Sequence, residues 1–293
     1  MNGNIRVSEN NKFNKDFTEI LQKYFGREIS SQRFKEINFA YLFNLPLIIS
    51  NRNGELKIRI NEDIENYRWD RDFVKNISER KNKVIMQLKQ LRYNVESFSL
   101  TVFWRLVIGL GASHPQETSM TLHHIYGIPY IPASAVKGVA RHWAILKFAD
   151  EKSKKENQGF EKSVKEVSDA LDKCNDLNFE VDGITFNNLI RIFGTQKQEG
   201  KVMFFDAYPL ENINLKIDIM NPHYPEYYSG KLPPADWQSP VPIKFLTIER
   251  TKFQFHIASK EKDLLDKVRK LLIEVLKNYG IGAKTSLGYG QLT

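Results

Sequence analysis

Phe98-Ser-Leu-Thr-Val-Phe-Trp-Arg105-Leu-Val-Ile-Gly-Leu110 carries a single charge in a run of β-branched, aliphatic and aromatic residues. Bounded by Gly109 and Gly111 and far shorter than a membrane span, it predicts one buried β-strand over residues 98–110. Downstream, Ile131-Pro132-Ala133-Ser134 leads into Val136, Val139, Trp143 and Leu146 at helical spacing, with Ser134 placed as the N-cap. Residues 202–207 and 215–220 read as strands, and residues 243–248 and 253–258 as a hairpin. Residues 261–279 read as a helix burying Leu264, Leu265, Val268, Leu271, Leu272 and Val275, with a short strand after it. That order predicts an α+β fold, a ferredoxin-like (RRM-like) βαββαβ core with helical and proline-rich loop insertions.

Upstream of residue 98, Phe13, Phe17, Ile20, Leu21 and Tyr24 recur at helical spacing, as do Phe34, Ile37 and Tyr41. Leu56, Ile58 and Ile60 alternate with Lys57 and Arg59 after an Asn53-Gly54 turn, which predicts a short strand. A basic helix is expected over residues 70–92, with Phe73, Ile77, Val84, Leu88 and Leu91 inward. Residues 1–97 are therefore expected to form a helical N-terminal extension packed on a core of residues 98–293. Within that core, residues 150–195 read as an insertion containing a short helix at 186–193 that ends at Gly194.

Forty-three Lys and Arg against thirty-five Asp and Glu give the 293-residue chain a net charge of +8, which favours a polyanionic partner. The lone Cys174 excludes a disulfide framework and a cysteine-rich zinc site. No apolar run reaches the roughly 18 residues of a membrane span, and the first residues lack an apolar signal region. The expectation is a soluble cytoplasmic protein with no membrane partner.

Two regions are built to meet phosphates. The last fourteen residues, Gly280-Ile-Gly282-Ala-Lys284-Thr285-Ser286-Leu-Gly288-Tyr-Gly290-Gln-Leu-Thr293, combine four glycines with a cation and hydroxyl donors. A nucleotide-binding P-loop is excluded by spacing, since Ala283 and Asn278 stand where it needs glycine. The second region is the start of the helix after Pro132, where Ser134, Lys137, Gly138 and Arg141 lie at the positive end of the helix dipole. Tyr224, Tyr227, Tyr228 and Trp237 on the proline-rich loop of residues 221–242 are candidates to stack on unpaired bases. The adjacent His123 and His124 lack the spacing and carboxylate support of a metal site. Acid–base cleavage of RNA by His114, His123 or His142 stays open on residue type alone. Asp206, at a strand end, could bind a magnesium ion or orient a scissile phosphate, but a lone strand-end aspartate more often caps a turn or pairs with an arginine, and no second carboxylate lies near enough in sequence for a two-metal site.

Four motifs occur in order: Gly109-Leu-Gly111-Ala; Gly127-Ile-Pro-Tyr-Ile-Pro-Ala-Ser134-Ala-Val-Lys137-Gly138-Val-Ala-Arg141; Phe-Phe-Asp206-Ala-Tyr-Pro; and Gly280-Ile-Gly282 through Leu-Gly288-Tyr-Gly290. In combination they resemble the RAMP superfamily of CRISPR proteins, in the form found in Cmr (type III-B) effector complexes. The resemblance covers about residues 98–293. It implies a non-catalytic RNA-binding structural subunit in antiviral RNA-guided defence. Such a subunit would bind the backbone of CRISPR guide RNA toward its 3′ side and other Cmr complex subunits, with target RNA a further candidate partner. Carried onto matching positions, the RNA-binding set is Ser134, Lys137, Gly138, Arg141, Gly282, Lys284, Thr285, Ser286 and Gly288, beside the stacking candidates Tyr224 and Tyr228. No catalytic residue, metal or cofactor is implied, because target cleavage belongs to a different, repeated subunit. Ala133-Ser134-Ala135 offers one hydroxyl fewer than the small-residue pair usual in relatives. The alternative reading is a metal-independent RAMP endoribonuclease that processes precursor guide RNA.

Overall fold

The computed structural model describes residues 38–44, 48–50, 56–58, 64–65, 67–112, 114, 118–221, 230, 233 and 242–293. The expected helix around Phe13–Tyr24 and the loop residues Tyr224, Tyr227, Tyr228 and Trp237 lie outside them. In chain order the elements are α1 (Phe39–Asn44), β1 (Ile48–Ser50), β2 (Leu56–Ile58), α2 (Arg71–Gln90), β3 (Asn94–Thr101), β4 (Arg105–Leu106), α3 (Ala133–Glu156) and α4 (Phe160–Lys173). Then follow β5 (Glu180–Val181), β6 (Ile184–Thr185), α5 (Phe186–Phe193), β7 (Val202–Phe204), β8 (Tyr208–Pro209), β9 (Asn214–Met220), β10 (Ile243–Glu249), β11 (Lys252–Ser259), α6 (Lys262–Asn278) and a 3-10 turn (Thr285–Leu287). The fold is mixed α+β with antiparallel sheets.

The chain divides into two compact units. One comprises Met1–Asp70, Gly109–Pro129 and Asn214–Thr247; the other comprises Arg71–Ile108, Tyr130–Ile213 and Ile248–Thr293. In the first unit, Phe39 packs against Tyr67 and Trp69, with ring centroids 4.9 and 4.8 Å away. Trp69 Nε1 donates to the Gly127 carbonyl at 3.2 Å, and Asn38 Nδ2 donates to the Ile125 carbonyl at 2.8 Å. Both bonds hold the glycine turn where Gly127 has φ +62°.

The second unit is organised by β11, which pairs antiparallel with β3 along eight residues from Lys252↔Thr101 to Ser259↔Asn94. Its other edge takes β7 and then β8, so that these two short strands form one interrupted edge. Beyond β3, Val102 bridges Leu292 in antiparallel sense, closing the opposite edge. Side chains alternate across this sheet. Phe98 stacks on its cross-strand partner Phe255 at 5.4 Å. Glu96, on the same face, reaches Arg269 of α6 at 3.5 Å. Leu264, Val268, Leu271, Leu272 and Val275 form the apolar stripe of α6, at the spacing expected for a helix laid on a sheet.

The opposite face carries His256, whose Nδ1 lies 2.8 Å from Ser97 Oγ. Burial, and next the nearby charge of Lys81, lower its pKa to about 4. An unfolded histidine titrates near 6.5, so the folded chain binds fewer protons between those values. Stability held above pH 6.5 is therefore lost as pH falls toward 4. In denaturation series from pH 7 to pH 4, His256→Gln should lose about 3 kcal/mol less than the parent chain.

Several expectations change. The run from residue 98 to 110 is not one strand: β3 starts earlier, at Asn94, and a bend at residues 103–104 separates it from β4. The expected hairpin is two strands with different partners, β10 pairing with β4 and β9 while β11 pairs with β3, β7 and β8. Phe73, Val84 and Leu91, expected inward on α2, are exposed, and Val74 and Ile85 are buried instead. The charged stretch after residue 150, expected as an insertion, is helical. It completes α3 and forms α4, which buries Ser163, Val167, Ala170 and Leu171.

Candidate nucleic-acid interface

The gap between β7 and β8 positions the start of α3. Ala207 there exchanges both backbone bonds with Ile131, each at 2.9 Å, which brings Asp206 beneath the helix. Asp206 Oδ1 accepts from the Ala133 N–H at 2.7 Å. Pro132 occupies the N-cap position with no side-chain cap bond of its own, so Ser134 is not the cap. A carboxylate from the edge strand satisfies a first-turn donor and sits on the positive end of the helix. The dipole of α3 is therefore directed at Asp206, and its first turn is not an open anion site.

What α3 offers outward is a stripe. Ser134, Gly138 and His142 are exposed at intervals of four residues, and Lys137 and Arg141 are half-buried beside them. Arg141 is held by Asp172 of α4 at 2.6 Å. Nothing lies within 4 Å of a Cβ added at Gly138. Mid-helix glycine is less favourable than alanine by about 1 kcal/mol, and here no neighbour among the described residues requires it. The stripe spans about 12 Å along the helix and ends at His142, whose Nε2 lies 3.2 Å from the Tyr279 hydroxyl. Tyr279 immediately precedes the terminal glycine loop. One hydrogen bond thus connects the two regions singled out in the sequence.

The terminal loop is held by backbone contacts. Ala283 N–H donates to the Val107 carbonyl at 2.8 Å, Ile281 N–H to Gly290 at 2.9 Å, and Gly290 N–H to Arg105 at 2.7 Å. A Cβ at Gly282 would overlap the Val107 carbonyl oxygen, and one at Gly290 the Ile281 carbonyl oxygen. These glycines answer to packing, and Gly282 is exposed as well. Gly288 differs, with φ +88° and open space around it, at the end of the turn Thr285–Leu287. Lys284 starts that turn in the left-handed conformation at φ +60°. Lys284 and Thr285 are half-buried and Ser286 is exposed, on a segment with no acidic side chain from residue 280 to 293.

The histidines have structural surroundings. His114 stacks on Phe43 at 4.5 Å, and burial lowers its pKa. His123 accepts from the N–H groups of Ile125 and Tyr126 through Nδ1, both at 3.3 Å, which fixes a turn. His142 alone of the three stands on the exposed stripe. Among the described residues no group of three His, Cys, Asp or Glu side chains is placed to hold a metal ion. No helix among them is long and apolar enough to cross a membrane.

Sequence reasoning anticipated a capping role for Asp206 but not the helix it caps. It missed the His142–Tyr279 link and the outward turn of Phe103 and Trp104, which depend on packing between segments distant in sequence.

The sequence model of the RAMP superfamily matches residues 99–293. The chain belongs to the RAMP superfamily. Among RAMP proteins it is similar to CRISPR system Cmr subunit Cmr6 of Pyrococcus furiosus, 42% identical over 224 residues. That match covers 64% of each protein, so the chain spans just under two thirds of this relative's length. It is also 25% identical over 288 residues to CRISPR system CMR subunit Cmr6 of Saccharolobus solfataricus, covering 93% of the chain and 86% of the relative. A chain in the cryo-EM structure of the Type III-B Cmr-beta bound to cognate target RNA shares the fold. Its TM-score is 0.53 at 24% identity, covering 96% of this chain and 88% of that one.

Proposed function

We propose that the chain is a non-catalytic, RNA-binding structural subunit of a type III-B CRISPR effector. In this reading it binds the backbone of guide RNA toward the 3′ side and docks on neighbouring Cmr subunits in the cytoplasm. Target RNA is a further partner, laid against the same assembly. The observation that carries this is Gly138: a mid-helix glycine with open space over it, flanked by Ser134, Lys137 and Arg141, in a chain with net charge +8. A strand backbone can approach a bare helix surface there closely enough for hydroxyl and lysine contacts. Tyr279, bonded to His142, immediately precedes the loop of Lys284, Thr285, Ser286 and Gly288, which in this reading continues the contact with the RNA backbone.

The frame of the second unit is proposed to be ferredoxin-like. Its elements run β3, α3, β7, β11, α6 and the Leu292 bridge, and the sheet order, counted in that sequence of strands, is 4-1-3-2 with antiparallel neighbours. Support for a non-catalytic role comes from the histidine surroundings, since His114 and His123 are engaged in packing and in a turn. RNA cleavage by His142 is the competing reading.

The test is binding of the purified chain to labelled guide RNA across a salt series in EDTA, with RNA integrity followed in the same samples. Lys137→Ala/Lys284→Ala should lower affinity about tenfold near physiological salt and reduce the slope of log K against log salt by roughly 1.4, at about 0.7 per phosphate contact. The RNA should stay intact. Cleavage in EDTA that His142→Ala abolishes would make the chain a nuclease. An unchanged slope would remove both lysines from the interface.

A further inference from the structure

The bend at residues 103–104 turns two large rings into solvent beside the terminal loop. Phe103 is 63% exposed, Trp104 40% and Leu287 66%. The backbone beneath them is fixed from both sides. Val102 N–H donates to Thr251 at 3.0 Å, Phe103 N–H to the Gln291 carbonyl at 2.8 Å, and Gly290 N–H to the Arg105 carbonyl at 2.7 Å. Trp104 leans on Tyr289, with ring centroids 4.9 Å apart, and the Arg105 guanidinium lies 5.3 Å from the Trp104 ring centre. The rings therefore stand as a ledge on a backbone that the terminal loop holds through Gly290 and Gln291.

Charge selects the occupant. The ledge carries Arg105 and is bonded through Gly290 and Gln291 to a terminal segment that contains Lys284 and no acidic side chain; Glu249, cross-strand from Arg105, is the acid in register with it. An apolar ring surface set among cations beside a backbone-binding loop suits a strand that presents negative charge along one edge and a π-face along the other. We propose that Phe103 and Trp104 form a stacking platform for an unpaired nucleobase of the RNA whose backbone follows the terminal loop. This rests on the RNA-binding reading above. It adds a base-contacting site that tolerates any sequence, because every base offers a π-face.

The experiment uses the full chain and a single-stranded RNA of guide sequence across the same salt series. Phe103→Ala/Trp104→Ala should weaken binding about ten- to thirtyfold, within the usual range for loss of one stacked base. The slope against salt should stay that of the parent, since no phosphate contact is lost. Phe103→Tyr should retain parental affinity. Phe103 is so exposed that Phe103→Ala should leave the melting temperature unchanged, and that single variant carries the test if Trp104→Ala impairs folding. Parental affinity in Phe103→Ala, with the lysine variants still reducing the slope, would overturn the platform and leave the RNA reading intact. Variants that bind RNA normally but fail to assemble with Cmr subunits would reassign the ledge to a protein contact. Absence of RNA binding by the parent chain at every salt, alone and in the complex, would overturn both.

Discussion

Gly290→Ala should lose at least ~3 kcal/mol of folding stability, read as a fall in denaturant midpoint, whereas Gly288→Ala should lose only about 1 kcal/mol. Both glycines have positive φ, +76° and +88°, so both substitutions carry the left-handed penalty of an L-residue. Only at Gly290 does the new methyl meet backbone that cannot yield. It would overlap the Ile281 carbonyl oxygen, part of the Ile281–Gly290 pairing that closes the loop. Moving that pairing would also pull Gly290 from Arg105 and Leu292 from its bridge to Val102. Leu292 is fully buried, so the damage would reach the sheet edge. Equal losses in the two variants would mean that φ alone sets the requirement.

Gly138→Leu should separate binding from stability. The position is exposed and a Cβ meets nothing within 4 Å, so leucine fits the free chain and gains up to about 0.8 kcal/mol of helix propensity. The same side chain would stand on the surface where the RNA backbone is proposed to approach. We expect guide RNA affinity to fall about thirtyfold, or about 2 kcal/mol, with an unchanged or raised melting temperature. Gly138→Ala should fall between parent and leucine. Unaltered affinity in Gly138→Leu would leave the glycine without a binding role and shift weight to the terminal loop.

Much of the second unit was legible because its signals are local. The apolar stripe of α6 runs from Leu264 to Leu276, and the expected bounds 261–279 differ from the helix Lys262–Asn278 by one residue at each end. The short helix Phe186–Phe193 ends at Gly194 as its sequence indicates, and Thr185 with Asn188 forms a capping box. Strand pairing was less legible because it is decided between distant segments. Nothing in residues 243–258 reveals that their two strands turn to different partners. The continuous apolar run from Phe98 hid the bend, since Phe103 and Trp104 are the residue types that normally mark burial. The two candidate segments, the start of α3 and the terminal loop, were legible as separate motifs. The occupation of the α3 N-terminus by Asp206 follows from how β7 and β8 are interrupted around Ala207, and the bond between His142 and Tyr279 from the packing of α3 beside α6.

The central claim is that RNA lies along the exposed stripe of α3 and the terminal loop. Cross-linking of photoreactive guide RNA in the assembled effector, followed by mapping of the linked peptides of this chain, tests it most directly. The account predicts links within residues 134–142 and 282–288, with residue 103 or 104 joined through a base. Links confined to the basic helix Arg71–Gln90, or none on this chain, would contradict it.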